Sequence, residues 1–358
     1  MTLTSTLIVD DLSAYPKPEA VPAEVRSDGN RLKDGWNIDD LHIEGNEGGK
    51  IPSTHLAWLP SLPADAPIED IRAAYERDGV IHVKGLLPRE HVMECRRRFF
   101  EFLEPAGILK EGTDPVDGIY CGEDPNQFNP HERDYRIQTN NELLQLTTTA
   151  GYDPLIMGFT DHPDLLDFIG RLMPEWKKPS RYKKQLMRTN IPHAYKSATR
   201  VHYDQMYLRG QKPGTLTAWI PVGDISPVSG GLMYLEDSLS LGIEMENKWR
   251  AYNKNLPVDE QMSGFNSNML LGGGLTRDCT TFALRTNRRW LVGQYEAGDV
   301  VFHQCRMIHC SANNEDPDER IRFATDVRFT DKLMRFEDRW DEYGDEEEVD
   351  DEEDAGDE

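Results

Sequence analysis

The spacing of hydrophobic residues changes along the chain, from helical in the first half to strand-like in the second. Apolar side chains recur every three or four residues over 68–77 and again from Pro88 to about Glu104, which predicts two helices. The same spacing returns at 142–149 and 163–172. From Lys183 onward, Gly and Pro separate short apolar runs, a pattern typical of strands. We therefore expect a mainly β fold with a helical N-terminal layer.

The second half of the chain contains enough short strands to build a closed core. The predicted strands cover 183–189, 200–206, 214–222, 232–235, 289–295, 300–303 and 321–329. This many short strands behind a helical layer favour a double-stranded β-helix, the jelly-roll core of cupin-like proteins.

The two ends of the chain differ in composition from the middle. Residues 1–65 are rich in Pro, Asp, Gly and Asn, and we interpret them as an extended N-terminal arm. Residues 66–340 form the predicted main domain, which an insertion or lid interrupts at about 238–295. The last fifteen residues, 344–358, contain eleven acids and no base, which is typical of a disordered tail.

Charge and cysteine content narrow the classes of partner. The chain carries a formal net charge of -24, whereas nucleic acids and anionic membranes both require basic surfaces. Five cysteines without a paired spacing suggest free thiols in a reducing compartment. No apolar run approaches the roughly 18 residues of a membrane span. We expect a cytoplasmic protein that binds a small molecule, with no nucleic-acid or membrane partner. The oligomeric state stays open, a homodimer included.

Two residues of the predicted strand 200–206 carry metal-binding side chains. His202 and Asp204 are two positions apart, so in a strand their imidazole and carboxylate point to the same face. A histidine on a neighbouring strand would complete the two-histidine, one-carboxylate triad of non-haem Fe(II) oxygenases. His309 supplies that third ligand. His303, six residues earlier on the same block of sequence, competes with His309 for this role; we interpret it as a pocket residue in contact with the substrate, as a residue that supports the metal ligands, or as a packed strand residue.

Beyond His309 the sequence offers groups for a dicarboxylate. Arg320 follows eleven residues later, on a strand predicted to form a hairpin with the one ending near His309. Its guanidinium can bind a carboxylate through two parallel hydrogen bonds, and Ser311 adds a hydroxyl. This set matches 2-oxoglutarate, which chelates a metal through its 2-oxo acid and presents a distal carboxylate. Arg322 and Arg328, on the same predicted strand, compete with Arg320 for this role.

Four segments follow one another in the order found in a single enzyme family. They are 75–88, which resembles an opening strand; 202–207, an HxDxxY motif; 217–224 with 230–234, two strands around a Gly-Gly turn; and 298–320, a block running from Gly-Asp through the histidine to the arginine. Each segment alone is a weak signal, but together they cover about 66–335. The chain therefore resembles the phytanoyl-CoA dioxygenase family of Fe(II)/2-oxoglutarate oxygenases.

The resemblance implies a fold, cofactors and further site residues. It implies the double-stranded β-helix, iron held by the triad, and 2-oxoglutarate and O2 as cosubstrates. In the family, the position of Trp219 packs beside the 2-oxoglutarate site. We add Gln185 as a cofactor contact and Met187 as a substrate contact, because both are predicted to face the interior from strand 183–189.

The resemblance also bears on the reaction. Related halogenases lack the carboxylate ligand, so Asp204 favours hydroxylation, desaturation or rearrangement over halogenation. We expect the enzyme to oxidise a small organic substrate that is not a CoA ester, with release of succinate and CO2. Three alternatives stay open: a fatty acyl-CoA hydroxylase, which the acidic chain does not favour; a metalloenzyme that does not use 2-oxoglutarate; and a non-catalytic jelly-roll binding module whose acidic tail recruits a partner.

Overall fold

Helices occupy much of the first half of the chain, as the apolar spacing predicts. A computed structural model describes residues 35–128, 142–183, 186–194, 198–208, 214–255 and 274–333. Its α-helices are α1 (Ile68–Asp78), α2 (Arg89–Leu103), α3 (Glu142–Ala150), α4 (Pro154–Thr160), α5 (Pro163–Leu172), α6 (Ser238–Asn253) and α7 (Cys279–Thr286). In α2, Val92, Cys95, Phe99 and Leu103 recur at intervals of three or four residues, and all four are buried.

The strands form two β-sheets. They are β1 (Leu56–Trp58), β2 (Ser61–Pro63), β3 (Val80–Lys84), β4 (Pro179–Arg181), β5 (Leu186–Asn190), β6 (Leu216–Pro221), β7 (Leu232–Leu235), β8 (Trp290–Val292), β9 (Val300–Gln304), β10 (His309–Ser311) and β11 (Arg322–Asp331). One sheet has the order β1-β8-β7-β10. The other has the order β2-β3-β9-β6-β11-β4, and β5 also pairs with β11. The fold is therefore mixed α/β, with more helix than the predicted mainly β chain.

The larger sheet packs against helices on one face and against the smaller sheet on the other. On the helical side, Phe323 of β11 stacks on Phe99 of α2, with ring centroids 3.7 Å apart. On the other side, Trp219 and Ala324 share a buried cluster with Tyr234 of the smaller sheet. Successive residues of β11 therefore alternate between the helices and the inter-sheet space. This alternation decides which arginines of β11 can reach the site.

Part of the predicted N-terminal arm belongs to the packed body. Ile38, Leu41 and Ile51 are buried in a cluster with residues of the smaller sheet. β1, also within 1–65, pairs in parallel with β8. β1 thus forms one edge of the smaller sheet, and β2, from the same segment, forms one edge of the larger sheet. Residues 1–34 and the acidic segment 344–358 lie outside the described residues, and the predicted domain bounds stay predictions.

Two predictions about local structure were wrong. The segment predicted as strand 200–206 contains isolated bridges at Val201 and His202, followed by a 3-10 turn at Asp204–Met206. The predicted hairpin after His309 does not form, because β10 pairs with β7 in the smaller sheet and β11 pairs with β6 in the larger one. The chain crosses between sheets over 312–321.

A buried arginine joins α2 to this crossing. Arg96 donates hydrogen bonds to the carbonyl oxygens of Val116 (2.7 Å), Asp117 (3.0 Å) and Val222 (3.0 Å), and it approaches that of Ile321 at 3.4 Å. Burial lowers the pKa of Arg96 to about 10, so the side chain stays cationic at neutral pH. Arg96 therefore fixes the start of β11 against the helical layer.

Replacement of this arginine is expected to destabilise the fold. Arg96→Met keeps much of the side-chain volume but leaves several buried carbonyl groups without a donor. The free energy of unfolding should fall by about 3 kcal/mol, since each orphaned buried group costs roughly 1–3 kcal/mol. Urea denaturation measures the change. Arg97→Met is the control, because Arg97 is exposed and pairs with Asp114; equal midpoints for the two variants would contradict the role of Arg96.

Within the described parts of the chain, none of the helices has the length and apolar character that crossing a membrane requires.

Candidate functional site

Three buried side chains converge where the two sheets meet. His202 and His309 face each other across an antiparallel bridge, with amide-to-carbonyl distances of 3.0 and 2.8 Å in the two directions. Asp204 begins the 3-10 turn that follows His202. The ligand atoms of these three side chains all lie within 4.8 Å of one another. The predicted triad is thus assembled, although Asp204 reaches it from a turn and not from a strand.

Both histidines are oriented by the backbone. The Nδ1 atom of His202 lies 2.8 Å from the carbonyl oxygen of Arg200, and that of His309 lies 2.9 Å from the carbonyl oxygen of Met307. A carbonyl can only accept, so each Nδ1 carries the proton and each Nε2 presents a lone pair. These Nε2 atoms lie 3.6 and 3.8 Å from Oδ1 of Asp204. Three donor atoms therefore point into one small volume.

The two oxygens of Asp204 have different surroundings. Thr217 of β6 donates a hydrogen bond to Oδ2 at 2.6 Å, and Nε2 of His303 lies 3.3 Å from the same oxygen. Tyr234 lies 3.2 Å from Nδ1 of His303, which completes a chain from Tyr234 through His303 to Asp204. Oδ2 is thereby held in place, whereas Oδ1 faces the two imidazoles. Such outer contacts are how proteins orient metal ligands.

The electrostatics keep Asp204 and His309 in their ligand forms. Burial alone would raise the pKa of Asp204, but Arg328, His202 and His303 outweigh it and hold that pKa well below the usual range. Burial, with the neighbouring histidines His202 and His303, lowers the pKa of His309 well below its usual value. A carboxylate and neutral imidazoles are the forms that bind divalent metals. The donor set therefore fits a two-histidine, one-carboxylate metal site with open coordination positions.

The family model described as "Phytanoyl-CoA dioxygenase (PhyH)" matches residues 75–322. The chain belongs to this family. With the triad in place, it is an Fe(II)/2-oxoglutarate-dependent oxygenase, as the four sequence segments indicated. No curated protein sequence matches the chain.

Several solved structures are similar to this member of the family. The non-haem α-ketoglutarate-dependent carbocyclase SnoK from nogalamycin biosynthesis is 19% identical, with a TM-score of 0.46, over 76% of this chain and 87% of its own. The epimerase SnoN, in complex with Fe3+, α-ketoglutarate and nogalamycin RO, is 17% identical, with a TM-score of 0.44, over 74% and 83%. EctD from S. alaskensis with bound Fe is 14% identical, with a TM-score of 0.44, over 79% and 82%.

The predicted 2-oxoglutarate arginine, Arg320, lies at the surface of this oxygenase. The side chain of Arg320 is 49% exposed and lies 2.7 Å from Asp318. β11 begins at Arg322, after the crossing between sheets, so the spacing of a hairpin does not apply. Arg322 instead is buried and directed inward. It donates to the carbonyl oxygens of Gly230 (2.9 Å) and Arg188 (3.2 Å).

The other predicted cofactor contacts are Ser311, Trp219 and Gln185. Ser311 is buried on β10, two residues from His309, and its hydroxyl oxygen accepts a hydrogen bond from the Thr199 amide at 2.6 Å. Trp219 is buried between the sheets, and its ring centroid lies 4.7 Å from that of Tyr295. Gln185 lies outside the described residues.

The two predicted substrate contacts, His303 and Met187, lie on different sides of the larger sheet. His303 is fully buried beside Asp204, and its contact with a substrate stays a prediction. Met187 packs against the cluster on the helical side of the larger sheet, so the structure does not bring it to the triad. Its neighbour Arg188 has the opposite orientation and lies 3.0 Å from Asp326 of β11. The predicted parity of β5 was therefore shifted by one residue.

Sequence reasoning missed Thr217 and Tyr234 as site residues. A signal for Thr217 was present: it lies two positions before Trp219 on the same strand, so both side chains share a face. Tyr234 carries no comparable signal, because its contact with His303 depends on how the two sheets pack.

Thr217→Val is expected to weaken metal binding without unfolding the protein. The substitution keeps the side-chain shape but removes the hydrogen bond to Asp204. Loss of such an outer contact typically costs about 10- to 100-fold in metal affinity. Competition with a chelator measures the affinity. Thr325→Val is the matched control, because the buried hydroxyl of Thr325 has no hydrogen-bond partner in the described structure; equal affinities in both variants would refute the role of Thr217.

Proposed function

We propose that this oxygenase couples decarboxylation of 2-oxoglutarate to the oxidation of a small organic substrate, by hydroxylation, desaturation or rearrangement. Succinate and CO2 are the coproducts. Bound iron supplies the redox chemistry that joins reduction of O2 to oxidation of both organic molecules. The observation that carries the proposal is the divided environment of Asp204, with Oδ2 held by Thr217 and Oδ1 facing two imidazole Nε2 atoms.

The protein contributes position and exclusion of water. His202, Asp204 and His309 are 5%, 1% and 3% exposed. Backbone carbonyls hold both imidazoles in one tautomer, so little reorganisation accompanies metal binding. A buried, preorganised site protects a reactive centre from side reactions with solvent.

For the distal carboxylate of 2-oxoglutarate we propose Arg322, with Arg320 as the alternative that the family spacing favours. Arg322 is 4% exposed and points into the inter-sheet space, whereas Arg320 is paired with Asp318 at the surface. Trp219 supplies an apolar wall on the neighbouring strand, and the hydroxyl of Ser311 retains its proton for donation. In the proposed binding mode, the planar guanidinium of Arg322 donates charge-assisted hydrogen bonds to the distal carboxylate of 2-oxoglutarate.

For the substrate we propose a specialised metabolite that is not a CoA ester. The net charge of -24 supports this, because the phosphates of CoA favour a basic mouth. We also propose that the two sheets form the double-stranded β-helix of the family. Free cysteines throughout accord with the expected cytoplasmic location.

Succinate release tests the proposal. Purified protein with Fe(II), ascorbate and 2-oxoglutarate is supplied with panels of small organic acids, neutral metabolites and acyl-CoA esters. We expect succinate to rise with a non-CoA substrate whose mass changes by one oxygen or two hydrogens. Turnover confined to acyl-CoA esters would favour the hydroxylase alternative. Iron binding without any 2-oxoglutarate consumption would favour a different metalloenzyme, and no metal binding would favour a binding module.

A further inference from the structure

Arg328 is a buried cation whose hydrogen-bonding capacity is largely unused. Its side chain is 7% exposed, and its Nη2 lies 3.5 Å from Oδ1 of Asp204, which is a long contact. Its Nε is buried without a hydrogen-bond partner among the described residues. A guanidinium has five N–H donors, and a buried donor without an acceptor destabilises the fold. A protein retains such a donor where a bound ligand supplies the missing acceptor.

The strand geometry aims Arg328 at the metal site. It lies opposite Thr217, the residue that donates to Asp204, in the register of β11 and β6. It shares the inward parity of Arg322 and Asp326 on β11. A molecule bound by Arg328 therefore lies directly beside the triad.

The nearby carboxylates give this cation a counter-charge but no acceptor for its Nε. Oδ1 of Asp204 is the oxygen that faces the two imidazoles, so a bound metal draws its charge away from Arg328. Asp326, the next inward residue of β11, lies 3.0 Å from Arg188. The position of an acceptor beside Nε of Arg328 is therefore open to a bound ligand.

The charges around the site indicate what kind of ligand this is. Arg188 pairs with Asp326, Arg328 contacts Asp204, and Arg322 lies on the same face of β11 as Arg328, so three arginines accompany two carboxylates. A divalent metal and the dianion 2-oxoglutarate cancel each other in charge. The loaded site therefore keeps one positive charge in a buried environment, where an unpaired charge is costly. A substrate with one negative charge balances it.

We propose that Arg328 binds a carboxylate of the oxidised substrate, so that the substrate is a small monoanionic organic acid. The planar fork of arginine matches a carboxylate, and a doubly charged phosphate would overcompensate the single charge. The contact with Asp204 places the oxidised carbon near that carboxylate. This inference rests on the proposed function, since it assumes that iron and 2-oxoglutarate occupy the site.

A ligand titration of the full-length protein tests this assignment. The protein is loaded anaerobically with Fe(II) and saturating 2-oxoglutarate, and the visible charge-transfer band is recorded. Acetate, hexanoate and benzoate are then titrated, each beside its neutral amide. We expect at least one carboxylate to shift the band saturably, with its amide binding at least tenfold more weakly.

Variants assign the effect to Arg328. In Arg328→Gln, the carboxylate should bind at least tenfold more weakly while the affinity for 2-oxoglutarate stays near that of wild type. Arg89→Gln is the control, because Arg89 is exposed and pairs with Asp224. If Arg328→Gln does not fold, Arg328→Lys keeps the charge and should bind the carboxylate with intermediate affinity. The carboxylate-to-amide ratio of the wild type remains a test in either case.

The possible results separate the two hypotheses. Equal binding of carboxylates and amides, no effect of any carboxylate, or unchanged binding in a folded Arg328→Gln would overturn the assignment. Displacement of the carboxylate by excess 2-oxoglutarate, or a tenfold loss of 2-oxoglutarate affinity in Arg328→Gln, would assign Arg328 to the cosubstrate instead. Absence of the band before any titration would count against the proposed function itself.

Discussion

Asp204→Ala is expected to abolish iron-dependent consumption of 2-oxoglutarate. The substitution removes the only carboxylate of the triad and leaves the two imidazoles. It also leaves Thr217, His303 and Arg328 without the carboxylate that each of them contacts. We expect Fe(II) affinity to fall by at least about 100-fold, since loss of outer contacts alone costs about 10- to 100-fold. Equilibrium dialysis and succinate release measure the two effects.

The control for this experiment is a carboxylate outside the site. Asp224 pairs with Arg89 at the surface, so Asp224→Asn should retain iron binding. In Asp204→Ala, Arg328 loses a buried counter-charge. The thermal midpoint of this variant protein is therefore recorded to show that it is folded. A folded Asp204→Ala protein that binds iron with wild-type affinity would show that the metal ligands have been misassigned.

Arg322→Met is expected to weaken binding of 2-oxoglutarate far more than Arg320→Met. Arg322 is buried and directed between the sheets, whereas Arg320 is half exposed and paired with Asp318. A charge-assisted hydrogen bond contributes about 2 kcal/mol, which corresponds to roughly a 30-fold loss of affinity. Anaerobic titration of the Fe(II)-loaded variants with 2-oxoglutarate gives both affinities.

Comparison of the two variants decides whether 2-oxoglutarate binds to Arg322, as its burial indicates, or to Arg320, as its spacing from His309 indicates. Arg320 lies two residues before β11 and Arg322 is its first residue, so both substitutions remove one guanidinium from the same short stretch of chain. A large loss in Arg320→Met with little change in Arg322→Met would contradict the assignment and restore the arginine that the sequence motif indicated.

Local sequence patterns predicted the elements whose structure is set locally. The apolar spacing located α1 and α2, and the predicted strand 232–235 coincides with β7. The pairing of strands could not be predicted in this way. β1 pairs with β8 although more than 200 residues separate them, and β10 lies in a different sheet from β11. Such pairings depend on how the sheets pack, which spacing along the chain does not encode.

The triad was predictable because its chemistry requires particular residue types in a short motif. The supporting residues were less so. Thr217 acts through one hydrogen bond that many residues could provide, and Tyr234 belongs to the other sheet. The choice between Arg320 and Arg322 depended on where β11 begins, and the crossing between sheets determines that point.

Formation of a ternary complex tests the central claim most directly, namely that the triad holds iron with 2-oxoglutarate bound to it. Fe(II) and then 2-oxoglutarate are added anaerobically to wild-type protein and to His309→Ala, and visible absorption is recorded. We predict a weak charge-transfer band that saturates with 2-oxoglutarate in the wild type and is absent in His309→Ala. A wild-type protein that binds iron but gives no band at any 2-oxoglutarate concentration would contradict the account.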